Sequence, residues 1–277
     1  MSAYVYPALF AAFVWWFSTG VILFLDNLPR STFRWSLLGA TLVMLSGVYG
    51  LMVSVHMSSV AGAYLGFASA LAVWAWLEIT FYMGYITGPR RHACVPGCQG
   101  WRHFGHAVQV SLHHELAIVL LGAGIVWISR DASNSVGLHT FLILALMHES
   151  ARINVFLGVR NLSEQFVPEQ LDHLRSFLRK RSMNPFFPLA ITLATGVWVM
   201  LLAAIPLAEA DPAGAVGLTL LATMLGLAIL EHWFLVLPLP ADRLWQWSLK
   251  AKQWRTRRPG IGPLRMQRLP LGQGDHG

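Results

Sequence analysis

Long apolar stretches, separated by short polar connections, dominate the chain. They cover residues 3–25, 35–55, 59–86, 106–129, 136–158, 187–208 and 213–238. A helix needs about 20 apolar residues to cross a bilayer, because each residue adds about 1.5 Å to its length. None of these stretches carries the continuous polar face that a helix in a soluble bundle needs. The pattern therefore predicts an all-α fold: a polytopic integral membrane protein with seven transmembrane helices.

Composition supports the same class of protein. Only 12% of the 277 residues are charged and 55% are hydrophobic, whereas soluble domains are about 25% charged. The first stretch has no basic residues before it and no small-residue cleavage site, so we expect it to be retained as a span. Residues 1–240 are predicted to form the seven-span domain. Residues 241–277 are predicted to be a basic, tryptophan-containing interfacial segment that leads into a disordered cytoplasmic tail.

The distribution of basic residues predicts the orientation in the membrane. Eighteen of the 20 Lys and Arg residues lie in the alternate connections 26–34, 87–105 and 159–186 or after residue 240. Cytoplasmic connections are enriched in Lys and Arg, so we expect the N-terminus outside and the C-terminus in the cytoplasm. Membrane lipids with anionic headgroups account for the net charge of +7. The sequence gives no indication of a nucleic-acid partner.

One basic connection contains an amphipathic pattern near residues 168–181. Pro168 stands at a favourable first helical position, and Leu171, Leu174 and Leu178 would share one face of a helix. We interpret this segment as a short helix on the cytoplasmic membrane surface, in contact with lipid. Docking of a partner protein is the alternative interpretation.

The preceding connection, "RRHACVPGCQGWRHFGH", is rich in cysteine and histidine. Its candidate zinc ligands are His92, Cys94, Cys98, His103 and His106. Cys94 and Cys98 are four residues apart, and the chain has no second cysteine pair. The sequence therefore favours a turn-forming loop with reduced thiols over a metal site.

Four glutamates interrupt the apolar spans. Glu78, Glu115, Glu149 and Glu231 each lie in a different predicted helix. All four are about 10–14 Å from the predicted cytoplasmic edge, counted at 1.5 Å per residue. A carboxylate in hydrocarbon is costly and normally faces a bundle interior or a cavity. We therefore expect the four to line one site.

Histidines accompany three of these glutamates. The candidate metal ligands are Glu78, His114, Glu115, His148, Glu149, Glu231 and His232. Two divalent cations would balance four carboxylates, and helices that supply Glu and His ligands are typical of di-iron proteins, which makes iron the expected metal. Arg152, His113 and Tyr82 are candidates to support the ligands or to bind substrate.

Two observations keep other interpretations of this layer open. Glu and His are adjacent here, about 100° apart around the helix, whereas soluble di-iron proteins space them three apart. Protonated glutamates could also form a metal-free polar network. Its role would involve protons, a pigment such as bacteriochlorophyll, or a quinone. A purely structural interhelical network is the remaining interpretation.

The sequence resembles the PuhE-type photosynthetic complex assembly proteins of purple phototrophic bacteria. The resemblance extends from the first span to about residue 240. It is carried by "WLEITFYMGYITGPRR", "SLHHELAI", "EHWFLVLPLP" and, most specifically, the segment from His148 to Leu189. It implies a multi-pass location in the bacterial inner, or intracytoplasmic, membrane. The implied partners are photosynthetic reaction-centre or antenna subunits, or enzymes of pigment biosynthesis.

Two functions follow from these observations. The first is an assembly factor for the reaction centre and core antenna, or a modulator of bacteriochlorophyll supply. The alternative is a membrane-embedded di-metal oxidase or hydroxylase that acts on a lipophilic tetrapyrrole, carotenoid or quinone precursor. A transporter is disfavoured, because the spans show neither an inverted repeat nor paired broken helices.

Overall fold

The structure, a computed structural model, describes residues 2–95, 97–162, 167–238 and 241–248. Within these ranges the chain forms seven long helices, each long and apolar enough to span a membrane, which confirms the predicted spans. They are α1 (Ser2–Asp26), α2 (Phe33–Ser54), α3 (Val60–Tyr82), α4 (Gly100–Ile128), α5 (Val136–Leu157), α6 (Phe186–Leu207) and α7 (Pro212–Val236). Residues 249–277, which include Trp254 and the predicted disordered tail, lie outside the described ranges.

Helices α3 and α7 form the centre of the bundle. α3 contacts α1, α2, α4, α5 and α7, and α7 also contacts α1, α5 and α6. Phe67 of α3, Leu220 of α7 and Ala11 of α1 are fully buried in one shared cluster. Their central position explains why polar residues of α3 and α7 are screened from lipid.

Helices α3 and α5 approach each other closely where two glycines meet. A Cβ on Gly66 would lie 3.1 Å from the backbone nitrogen of Gly137, and a Cβ on Gly137 would lie 3.0 Å from the Gly66 carbonyl oxygen. Small residues allow backbones in a membrane to approach and gain dispersion contacts. This contact fixes the spacing between the helices that carry Glu78 and His148.

The connections rich in Lys and Arg meet at one end of the bundle, which we call the basic end. There the side chain of Gln170 donates to the carbonyl of Tyr82 at 2.7 Å, and the amide of Asn161 donates to the carbonyl of Leu235 at 2.9 Å. At the opposite end, the amide of Ser133 donates to the carbonyl of Val55 at 2.9 Å. The grouping follows from the alternating helix directions, while the side of the membrane stays a prediction.

The segment predicted as a helix near 168–181 is a 3-10 helix, Glu169–Phe177, with a non-helical φ of −112° at Leu171. Leu171 and Phe177 are buried against the protein. The segment thus covers the basic end of the bundle with part of its apolar surface. Beyond α7, Trp245 is also buried, and its indole donates to the carbonyl of Trp16 at 3.1 Å.

Candidate functional site

The candidate site is built around three side chains from three helices. Glu78 of α3, His114 of α4 and His148 of α5 each offer a ligand atom, and these atoms all lie within 4.8 Å of one another. Nδ1 of His148 is 3.3 Å from Oε1 of Glu78. We call these three residues the inner cluster.

Several polar atoms of the inner cluster are buried without a hydrogen-bond partner among the described residues. They are both ring nitrogens of His114, Nε2 of His148 and Oε1 of Glu78. His114 is fully buried, and Glu78 is 9% exposed. Buried polar groups are nearly always hydrogen-bonded, so such a group calls for a specific explanation, such as an ion or a water molecule.

Aromatic packing and a close loop hold the two histidines in place. The His148 ring packs edge-on to Trp74 with centroids 5.3 Å apart, and the His114 ring lies 4.5 Å from that of Phe81. The amide of His114 donates to the carbonyl of Thr87 at 3.0 Å, so the chain after α3 lies against α4. A Cβ on Gly88 would overlap the α4 backbone, which makes glycine necessary for this approach.

A second group of charges, the outer cluster, surrounds Arg152 of α5. Its guanidinium forms ion pairs with Glu115 of α4 and with Glu149, the latter at 3.3 Å, and it donates a hydrogen bond to the Ser111 hydroxyl. These residues lie in a groove of about 640 Å³ between α4 and α5, whose other walls include Phe104. Arg152 therefore pairs with two of the four glutamates, and its single positive charge balances one of them.

The last two predicted ligands, on α7, have partners of their own. The indole of Trp15 donates to Oε1 of Glu231 at 3.0 Å. Nδ1 of His232 is 2.9 Å from the Ala228 carbonyl oxygen, which can only accept, so this nitrogen carries the proton. Its Nε2 lies 3.0 Å from the Ser150 hydroxyl and accepts from it when the ring is neutral.

A cavity of about 310 Å³ lies between α7 and two residues of the inner cluster, Glu78 and His148. It is lined by Glu78, His148, Tyr82, Glu231 and His232, together with apolar side chains of α1, α3, α5 and α7. Glu115, Glu149 and Arg152 line the separate groove instead. The predicted single layer of four carboxylates is therefore divided between an inner cavity and an outer groove.

The structure places the remaining predicted residue, His113, on the exposed side of α4. Sequence reasoning missed Ser111, Ser150 and Trp15, because single Ser and Trp residues in apolar spans carry no signal of the partner they contact. It also missed Asp26 at the end of α1, which is 6% exposed and has no hydrogen-bond partner for its carboxylate among the described residues. Its position at a predicted span boundary indicated a loop residue.

The inner cluster has the composition of a mononuclear metal site. Two histidines and one carboxylate with open positions are typical of non-haem Fe(II) centres. Ligand atoms at about 2.1 Å from one ion lie about 3–4 Å apart, and the 3.3 Å between His148 and Glu78 fits that spacing. The adjoining cavity offers room for a small ligand or for one end of a lipophilic molecule.

Seven apolar helices around buried carboxylates and histidines define a multi-pass helical membrane protein with an intramembrane polar site. The chain belongs to the family described as "Protein of unknown function (DUF3623)", which matches residues 1–256. It is 39% identical over 253 residues to the "Uncharacterized 30.4 kDa protein in puhA 5'region" of Rhodobacter capsulatus, across 87% of this chain and 89% of that one. No solved structure matches the chain.

Proposed function

We propose that this protein acts in the formation of the photosynthetic apparatus, as an assembly factor for the reaction centre and core antenna or as a modulator of bacteriochlorophyll supply. The observation that carries the proposal is the similarity to a protein whose name places it in the puhA 5' region. The alignment covers most of both chains. The PuhE-type resemblance of the segment from His148 to Leu189 points to the same process.

The inner cluster is the part of the molecule that we assign to this role. A buried Glu–His–His set with unpartnered nitrogens is costly to keep unless it binds something. The cavity volume of about 310 Å³ is at the lower limit for small-molecule sites. It suits an ion, or one end of a pigment or quinone precursor, better than a whole tetrapyrrole.

The composition of the inner cluster favours a second candidate function, a metal-dependent oxidase or hydroxylase. Two histidines and one glutamate would hold a single ion, iron being the first choice, beside the cavity that would admit substrate. Glu115 and Glu149 both pair with Arg152, whose single positive charge balances one of them, and neither glutamate belongs to the inner cluster. This candidate uses one ion, where the sequence suggested two.

The test is complementation of a phototrophic strain from which the gene has been deleted. Wild-type protein should restore the absorption of the core complex, and Glu78→Gln, which removes an inner-cluster charge, should not. Glu149→Gln is the matched control, because it makes the same change in the neighbouring groove and should restore most of the absorption. A deletion strain with normal complexes would refute the role, and full rescue by Glu78→Gln would refute the site.

The metal content of the same proteins, purified in detergent, separates the two candidate functions. About one equivalent of iron in the wild type and in Glu149→Gln, lost in folded Glu78→Gln, is the result expected for the enzyme. Folded wild-type protein without iron, together with failed rescue by Glu78→Gln, would support the assembly role alone.

A further inference from the structure

A second cluster of metal-ligand side chains lies at the basic end, separate from the inner cluster. Cys94 and Cys98 belong to the connection between α3 and α4, and His106 belongs to the second turn of α4. One ligand atom from each of these three residues lies within 4.8 Å of the others. His103, one turn earlier on α4, contacts the same group through Cys94.

The distances in this cluster match those of a zinc site. Nδ1 of His106 is 3.5 Å from Sγ of Cys94 and 3.4 Å from Sγ of Cys98, and Nδ1 of His103 is 3.3 Å from Sγ of Cys94. In a tetrahedral site with Zn–S near 2.3 Å and Zn–N near 2.05 Å, sulfur and nitrogen ligands lie about 3.5 Å apart. Cys94, Cys98 and His106 are thus arranged at ligand spacing, and His103 has the same spacing from Cys94.

The local sequence also fits this chemistry. The cysteines are separated by three residues, within the two to four that zinc sites commonly use, and the two histidines are three apart on one face of α4. The sequence alone favoured a metal-free loop, because Cys94 and Cys98 are four residues apart and form a single pair. The structure adds that α4 begins at Gly100, early enough to carry both histidines to the cysteines.

We infer that Cys94, Cys98, His103 and His106 bind one zinc ion in a closed, structural Cys2His2 site. The site joins four parts of the basic end. The His103 ring stacks on Phe156 at the end of α5, with centroids 5.6 Å apart, and lies 5.4 Å from the ring of Phe177 in the 3-10 helix. The amide of Cys94 donates to the Ser176 hydroxyl of that helix at 2.9 Å.

This zinc site would stabilise the entrance to the outer groove. Trp101 and Phe104, which lie on the same turns of α4 as the two histidines, form the part of the groove wall nearest the basic end. Four protein ligands leave no open position for a substrate, so the ion would hold structure and carry no reaction. The inference is independent of the inner cluster and of its proposed metal.

The experiment uses the full-length protein purified in detergent under reducing conditions, with added zinc followed by removal of the excess. Elemental analysis should find about one zinc per chain in the wild type, and Cys94→Ser and Cys98→Ser should each lose it. His92→Ala is the matched control, since this exposed histidine belongs to the same loop and lies outside the cluster. Glu78→Gln should also keep its zinc, which separates this site from the inner cluster.

Cobalt substitution supplies a readout of the ligands themselves. Co(II) in the wild type should show the visible bands of tetrahedral coordination and a thiolate-to-cobalt charge-transfer band, both absent in Cys98→Ser. His103→Ala should change the visible bands, because it removes one nitrogen ligand. Equal zinc in Cys94→Ser and wild type, or folded wild type that binds no zinc and has freely titratable thiols, would overturn the inference.

Discussion

Adjacent residues on a helix point about 100° apart, and this angle divides the intramembrane charges into two clusters. On α4, His114 joins the inner cluster and Glu115 turns to Arg152. On α5, His148 joins the inner cluster and Glu149 turns to the same arginine. In both of these Glu–His pairs, the histidine belongs to the inner cluster and faces α3, and the glutamate belongs to the outer cluster and faces the groove.

The outer cluster predicts a stability effect at the residue scale. Arg152→Leu leaves Glu115 and Glu149 without their counter-ion, and removing one partner of a buried ion pair costs about 3–5 kcal/mol. Arg152 is 32% exposed at its side chain, so we expect a smaller loss, at least about 1 kcal/mol or about 2–4 °C in Tm. Thermal unfolding in detergent measures this loss.

Two further variants check the cause of that loss. Adding Glu115→Gln and Glu149→Gln to Arg152→Leu should recover much of the Tm, because no uncompensated charge then remains. Arg130→Leu, which removes an exposed arginine outside both clusters, should leave the Tm nearly unchanged. A triple variant that is less stable than Arg152→Leu would contradict the charge argument.

At the scale of helices, the contact between Gly66 and Gly137 sets how closely α5 approaches α3. His148 lies 11 residues beyond Gly137 on α5, about 16 Å along the helix axis. A displacement of α5 at the glycine contact would therefore move His148 relative to Glu78. Packing remote from the inner cluster is expected to control its geometry.

Gly137→Val tests this dependence between helices. The added side chain would meet the backbone of α3 and the side chain of Leu51, so we expect a lower Tm and weaker metal binding by the inner cluster. Gly39→Val is the matched control, because none of the described residues places an atom within 4 Å of a Cβ at that position in α2. Equal Tm and metal content for the two variants would show that the contact does not position the cluster.

At the scale of the whole molecule, the basic connections gather at one end and the connection through Ser133 lies at the other. The inner cluster, the outer groove and the Cys–His loop are all nearer the basic end, since Glu78 is four residues from the end of α3. If this end faces the cytoplasm, the Cys–His loop lies on the cytoplasmic side, and the inner cluster and the outer groove lie in the cytoplasmic half of the membrane.

Reporter fusions test the predicted orientation. A cytoplasmic reporter fused after Gly277 should be active, and a periplasmic reporter at that position should be silent, because the positive-inside rule places the basic end in the cytoplasm. Insertion of the periplasmic reporter in the connection 130–135 should give the opposite result. A periplasmic signal after Gly277 would reverse the topology.

The sequence by itself determined the seven apolar helices, because span length and hydrophobicity are local properties of the chain. It also identified Glu78, His114 and His148 as residues of interest, since polar groups in apolar spans stand out in any fold. Only the tertiary structure decided that Arg152 forms ion pairs with Glu115 and Glu149, and that Cys94 contacts His103 and His106. These groupings depend on the rotation and spacing of helices, which are set by contacts such as Gly66 with Gly137 between residues distant in sequence.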